Sequence, residues 1–241
     1  MNIIYLLFHG LSPYSGISKK ILHQVKGFEA CGHRVSLCTY SIADNGHRVR
    51  MINNEIIEDY GTGKPAAAKR RVSYQCIYRY AVTHQVELIY VRSFHNANPF
   101  TIRLFSKLRK AGIKIAMEIP TYPYDSEYAG FPLVTRLGIQ VDKVFRKTLA
   151  KHVNAIVTFS DYHCIFGQRT IQISNGVDFD SIPLKKTVSK NTSVIHLLGV
   201  AEVHYWHGYD RLIEGLGKYY QTRQTQPYFS TSPEVYGNPN A

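Results

Sequence analysis

The chain has 241 residues, of which 44% are hydrophobic and 19% charged. That is enough apolar material for a sizeable core and too little charge for a disordered chain. Lys and Arg number 29 against 17 Asp and Glu, a formal charge of +12, which favours acidic partners such as an anionic membrane or phosphorylated small molecules. The basic residues are scattered (Lys19-Lys20, Lys69-Arg70-Arg71, Lys185-Lys186) and lack interleaved aromatic motifs, which argues against nucleic acid.

Asn2 to Phe8 is apolar throughout, with no basic segment before it and no small-residue cleavage site. It reads as a buried first strand and not as a signal peptide. No apolar run is long enough to span a bilayer. A loop from His9 to Ser15 leads to Ile17, Ile21, Val25 and Phe28 at helical spacing, with Ser15 as cap and Gly32 as stop. Arg34 to Tyr40 and His47 to Ile52 read as strands. A long helix is predicted from Pro65 to His84, a strand over Glu87 to Arg92, a helix over Pro99 to Ala111 and a strand over Ile113 to Ile119. After a Tyr- and Pro-rich loop from Pro120 to Pro132, Val134, Leu137, Val141, Val144 and Leu149 mark a further helix by their spacing. Asn154 to Phe159 is a strand, Ser160 caps a short helix, and Thr170 to Ile173 closes the series.

Strand–helix alternation with strands apolar throughout implies a Rossmann-like α/β domain, a parallel sheet with helices on both faces. Ligands of such sheets bind beyond the carboxyl ends of the strands, so function belongs in the loops after Phe8, Arg92, Ile119 and Phe159. The domain is expected to span residues 1–180, followed by a polar linker at 181–192. Val194 to Val200 then reads as a new strand, and Tyr209, Leu212, Ile213, Leu216 and Tyr220 as a new amphipathic helix. Together they open a second domain over 193–221 that is left incomplete. Thr222 to Ala241 has no apolar period and is expected to be a disordered tail foreign to the fold, from a truncation or frameshift.

Several motifs bear on chemistry. Ser15-Gly16 opens a helix after the first strand, where backbone N–H groups can approach an anion; a plain helix start explains it equally. Gly61-Thr62-Gly63-Lys64-Pro65-Ala66 fits a dinucleotide fingerprint but follows no buried strand, and Pro65 removes a donor, so a loop before a helix explains it better. His204 and His207 lack further ligands, and no metal site is expected. Cys31, Cys38, Cys76 and Cys164 form no C-x-x-C and read as ordinary thiols of a reduced, cytosolic protein.

In order, these pieces resemble the retaining glycosyltransferases of family 4, which have two facing Rossmann-like domains (the GT-B type). The resemblance rests on Ser15-Gly16-Ile17, on Gly27-Phe28-Glu29-Ala30-Cys31-Gly32-His33-Arg34-Val35 and on Thr158-Phe159-Ser160. It continues through Ile173-Ser174-Asn175-Gly176-Val177-Asp178, Leu198-Gly199-Val200 and His207-Gly208-Tyr209-Asp210-Arg211-Leu212-Ile213-Glu214-Gly215-Leu216. It implies an acceptor-binding first domain and a second domain that holds a nucleotide-sugar donor, with no further cofactor. The acceptor would be a glycan or lipid-linked sugar of surface polysaccharide or glycolipid assembly, and the positive charge suits contact with the cytoplasmic face of an anionic membrane.

The resemblance makes Ser15, Gly16, Arg92 and His95 candidates for the acceptor and donor-phosphate loops. Trp206, His207, Gly208 and Arg211 become candidates for the donor diphosphate. The family's Arg falls near Val200 or Ala201 and is absent, as is its His after Ile119. There the chain reads Glu118-Ile119-Pro120-Thr121-Tyr122-Pro123-Tyr124-Asp125, with Glu118 and Asp125 as the candidate catalytic groups. A structural carboxylate at a strand end is the competing reading for Glu118. The family's donor-site glutamates, seven residues apart, have no counterpart: no Glu in the chain has another eight positions on. The chain alone is therefore expected to show little or no transfer, and a non-catalytic acceptor- or partner-binding module is the alternative.

Overall fold

A computed structural model describes residues 1–13, 15–93, 95–125, 133–176, 178–182, 197 and 208–222. The chain divides into two compact units, Met1–Pro183 and Leu184–Ala241.

The first unit is α/β, built on a nine-stranded, mostly parallel sheet ordered β4-β3-β2-β1-β5-β6-β7-β9-β8. The strands are β1 (Asn2–Leu6), β2 (Arg34–Ile42), β3 (Arg48–Ile52), β4 (Glu55–Asp59), β5 (Leu88–Arg92), β6 (Lys114–Ile119), β7 (Ala155–Thr158), β8 (Cys164–Ile165) and β9 (Gln168–Gln172). From β2 through β1, β5, β6 and β7 to β9 every pairing is parallel. β3 and β4 turn antiparallel at one end and β8 at the other. The sheet is therefore mixed at its edges, where the sequence predicted parallel strands alone. The helices of this unit are α1 (Gly16–Ala30), α2 (Gly63–Val72), α3 (Gln75–Thr83), α4 (Pro99–Lys110) and α5 (Leu133–Ala150).

β1 is apolar because both of its faces are covered. Ile3, Tyr5 and Leu7 pack with Ile21, Val25 and Phe28 of α1. Ile4, Leu6 and Phe8 pack on the other face with Ile77 of α3, Leu104, Phe105 and Leu108 of α4 and Leu149 of α5. Ser15 caps α1 by accepting the Ser18 N–H at 3.4 Å, and Gly32 follows the helix at φ +77°, as expected of a left-handed stop.

The structure corrects four local expectations. β4 was not foreseen: Asn53 and Asn54, at φ 48° and 71°, turn β3 back on itself in a two-residue hairpin that Asn tolerates well. The predicted Pro65–His84 helix is two, broken where Ser73 becomes extended and Tyr74 sinks to 7% exposure with its ring edge on Phe8. After Ser160 the chain makes the β8–β9 hairpin and not a helix, with Phe166 and Gly167 both at positive φ. The fourth concerns α5. The helix forms as its apolar spacing predicted, but those residues do not make its buried face: only Leu149 is buried, Leu137, Val141 and Val144 are exposed by 58%, 45% and 71%, and the side chain of Val134 lies outside the described residues. Polar anchors set the rotation of this helix instead. Asp142, 2% exposed, accepts the Ala97 N–H and the Tyr124 hydroxyl, both at 2.9 Å, and Arg146, one turn on, grips Asp125 at 2.7 Å.

In the second unit, α6 (Tyr209–Gln221) forms where the amphipathic pattern put it, behind Gly208 at φ 68°. None of its described side chains is buried. The predicted strand from Val194 to Val200 and the tail after Thr222 lie outside the described residues, apart from Leu197.

Candidate functional site

In an open α/β sheet the crevice forms where strand order reverses, beyond the carboxyl ends. Here that point lies between β1 and β5, so the Leu7–Ser15 and Ser93–Asn98 loops flank it. Their strands also bring together a polar cluster that sequence order hides. Tyr5 stands in register with Tyr90, and Arg92 with Glu118. Because side chains repeat on one face every second residue, these four residues share a face.

Glu118 is fully buried. Its carboxylate accepts from Arg92 Nη1, from the Tyr90 hydroxyl at 2.7 Å and from Gln24 Nε2 of α1 at 2.9 Å; Gln24 in turn accepts the Tyr5 hydroxyl at 2.6 Å. Burial, then the Glu118 charge, raises the Tyr5 phenol, and the same two causes raise Tyr90. Both phenols stay protonated and donate. With three donors on one carboxylate, this cluster is an organising network, as in the structural reading of Glu118: it fixes Arg92 and ties α1 to the sheet.

The first loop closes on the same corner. Lys20 of α1 lies with its ammonium 3.5 Å from the centre of the Phe159 ring. Burial lowers its pKa, Glu118 raises it and Arg92 lowers it, which places Lys20 within electrostatic reach of the Arg92–Glu118 pair. His9 is lowered by burial and further by Arg92. Gly10 is a position where only glycine fits, since a Cβ there would stand 2.8 Å from the Tyr40 carbonyl oxygen. Gly16 is exposed, with open space where a Cβ would be, while the Ser18 and Lys19 N–H groups behind it are taken by Ser15.

A second cluster forms around the loop after β6. Asp125 makes a bidentate pair with Arg146 at 2.7 and 3.1 Å and a weaker one with Lys143 at 3.7 Å, which hold its carboxyl below the usual range. His95, at φ 48°, packs its ring 4.5 Å from Tyr124; burial lowers its pKa, against the opposing pull of Asp142 and Asp125. Tyr122, Tyr162 and Phe166 extend this aromatic wall.

The predicted candidates thus fall into two groups. Arg92 and Glu118 are paired, and Ser15 and Gly16 open α1, the helix whose Gln24 bonds Glu118. His95 and Asp125 sit in the second cluster, where Asp125 is bound to Arg146 and not to Glu118. Gly208 and Arg211 lie in the second unit, with the Arg211 guanidinium 2.7 Å from where a Gly208 Cβ would stand. Trp206 and His207 lie outside the described residues. Sequence reading missed His9, Lys20, Gln24 and Arg146, which carry no motif and acquire partners only through sheet register and helix rotation. Among the described residues, no group of three or more His, Cys, Asp or Glu side chains could hold a metal ion.

The two half-buried histidines set an acid limit on stability. With the folded-state pKa of His9 and His95 below the unfolded value, the unfolded chain binds more protons between the two. Stability present above about pH 6.5 is therefore lost as pH falls below it. The urea midpoint is expected to drop between pH 7 and pH 5, and His95→Asn, which tolerates positive φ, to flatten that slope. An unchanged slope would show that His95 titrates as in the unfolded chain.

Comparison with protein-family models, with curated proteins and with solved structures gives no match to this chain.

Proposed function

We propose that this chain is, by descent, the acceptor-side half of a nucleotide-sugar-dependent glycosyltransferase of the GT-B type, with a glycan or lipid-linked acceptor. The observation that carries the reading is the strand-order reversal at β1 and β5, with Lys20, His9 and the exposed Gly16 at the start of α1 gathered at that edge. An ammonium, an imidazole and backbone N–H donors so placed suit a ligand bearing negative charge. The family-like motif order in the sequence adds the substrate class. Since the paired donor-site glutamates are not in these 241 residues, purified chain should hydrolyse no nucleotide-sugar, while binding an acceptor glycan saturably. Turnover of a nucleotide-sugar would overturn the inactivity, and lack of saturable binding across a glycan panel would count against the acceptor-side reading. Binding to a protein partner alone would favour a non-catalytic module.

α5 supports a place for this unit against an anionic, cytoplasmic membrane face. Leu133, Leu137, Val141 and Val144, exposed by 67%, 58%, 45% and 71%, recur every three or four residues on its outer side. Arg136, Lys143 and Lys147 follow the same helical period along one flank. An exposed apolar stripe with a basic border is the pattern of a helix lying in a bilayer interface. No helix among the described residues is long and apolar enough to cross a membrane. The chain should co-sediment with vesicles containing phosphatidylserine and not with phosphatidylcholine alone, less so at high salt. Leu137→Glu with Val144→Glu should abolish the effect. Self-association through this face, seen as a dimer in light scattering that the same variants dissolve, would replace the membrane reading.

A further inference from the structure

β3 and α2 carry a group of guanidinium side chains that the reading above does not use. Arg50 is 1% exposed, yet it donates from Nη1 to a neutral acceptor, the Leu7 carbonyl, at 2.8 Å. Arg70 of α2 donates from Nη1 to the next carbonyl, that of Phe8, at 3.3 Å and lies 3.9 Å over the Tyr40 ring. Arg48 donates to the hydroxyl of that same tyrosine at 2.6 Å. Three cations therefore converge on the tail of β1 and on Tyr40. Their acceptors are uncharged: two carbonyls, the Tyr40 phenol and, beside Arg50, the Tyr60 hydroxyl and the Cys38 thiol.

Among the described residues no carboxylate comes within the 4.0 Å of an ion pair with any of the three. Glu58 is the register partner of Arg50 across the β3–β4 ladder, and even it makes no such pair. The Nε atoms of Arg50 and Arg70 are both buried with no hydrogen-bond partner. A buried cation lacking a counter-ion is among the costlier arrangements in a fold, because the lost hydration is not returned. Burial lowers the Arg70 pKa, the Tyr40 phenol opposes this, and Arg50, Arg71 and Arg48 add repulsion; at Arg50 the neighbouring Cys38 and Tyr60 outweigh the effect of burial. A guanidinium presents a planar fork of N–H donors suited to phosphate oxygens. The group stands at the carboxyl end of β1, on the side of the Leu7–Gly10 segment that faces β2 and β3.

We infer that Arg48, Arg50 and Arg70 form an oxyanion site that takes a phosphate or diphosphate group. Arg48 and Arg70 are half-buried and flank Tyr40; they meet the anion, and Arg50 supplies charge from beneath. Two carriers share this chemistry, a nucleotide diphosphate and an isoprenyl diphosphate. Only the choice between them rests on the transferase reading.

The test is the thermal unfolding midpoint of the full chain against rising inorganic pyrophosphate at constant ionic strength, repeated with uridine diphosphate and with geranyl diphosphate. The midpoint should rise saturably with pyrophosphate. Arg48→Gln and Arg70→Gln, each losing a charged contact, should weaken that effect about tenfold or more. Arg50→Met, an unbranched replacement that fits an irregular buried space, should leave the anion-free midpoint unchanged or higher and remove the response. If Arg50→Met does not fold, the two half-buried variants decide. Tighter binding of uridine diphosphate than of geranyl diphosphate assigns a nucleotide carrier, and the reverse assigns a lipid. Absence of a saturable rise, or equal affinity in Arg70→Gln and the parent, overturns the site. Retained pyrophosphate binding with no glycan binding overturns the transferase reading and leaves the site standing.

Discussion

Glu118→Ala should cost the first unit about 3–5 kcal/mol, read as a drop in the urea midpoint at neutral pH. Three donors lose their acceptor at once. Most of the cost comes from Arg92, whose side chain is 7% exposed and would be left as a buried charge with no partner. The direction separates two roles for Glu118. If the carboxylate mainly organises the sheet and α1, stability falls steeply, and pairing Glu118→Leu with Arg92→Met restores much of it, since a buried ion pair replaced by apolar groups of similar volume is often neutral or better. If Arg92 instead swings out to water when its partner is removed, Glu118→Ala is mild. That result would mean the pair is held at the surface of a cleft and is free to meet a ligand.

Phe105→Ala should cost a comparable amount, about 3–5 kcal/mol. Phe105 of α4 is fully buried among residues of β1, β5, β6, α3 and α5, and truncating it leaves a void that a close-packed core cannot refill. The informative comparison is Leu137→Ala on α5. Both residues are large and apolar and both lie on helical stripes, yet Leu137 is 58% exposed. Its removal should change stability by less than about 0.5 kcal/mol. Parallel urea curves for the two variants measure the difference. A large loss for Leu137→Ala would show that a surface covers it in solution.

That contrast marks what can be read in such a chain. β1, β5, β6 and β7 were legible because strands covered on both faces carry consecutive apolar residues, a signal independent of partner, and β2 was legible from its Val35, Leu37, Cys38 and Tyr40. The Ser15 cap and the Gly32 stop were legible because caps are local chemistry. The rotation of α5 was not, because its apolar period is genuine but its inward face is chosen by Asp142 and Arg146. Their partners, Ala97, Tyr124 and Asp125, are distant in sequence or hidden in a loop. The β8–β9 hairpin was masked by Phe166, a poor advertisement for a turn at positive φ. At the site, Arg92 and Glu118 were each legible as strand-end polar residues, but that they neutralise each other follows from register between β5 and β6, which sequence spacing does not reveal. Arg50 offered no signal, since a basic residue in a strand is ordinarily a solvated one.

The antiparallel additions at either end of the sheet have a consequence for how many copies of this chain behave together. A sheet exposes unpaired N–H and C=O groups only along its two outermost strands, and those rows are where identical molecules join into fibres. One of these rows is β4, in which Glu55, Glu58 and Asp59 make up three of five residues. The other is β8, two residues long. A second copy approaching the first edge would set carboxylate against carboxylate. At the other, among the described residues, it would find β8 and the short end of β9 beyond Arg169, too little backbone to hold a long strand.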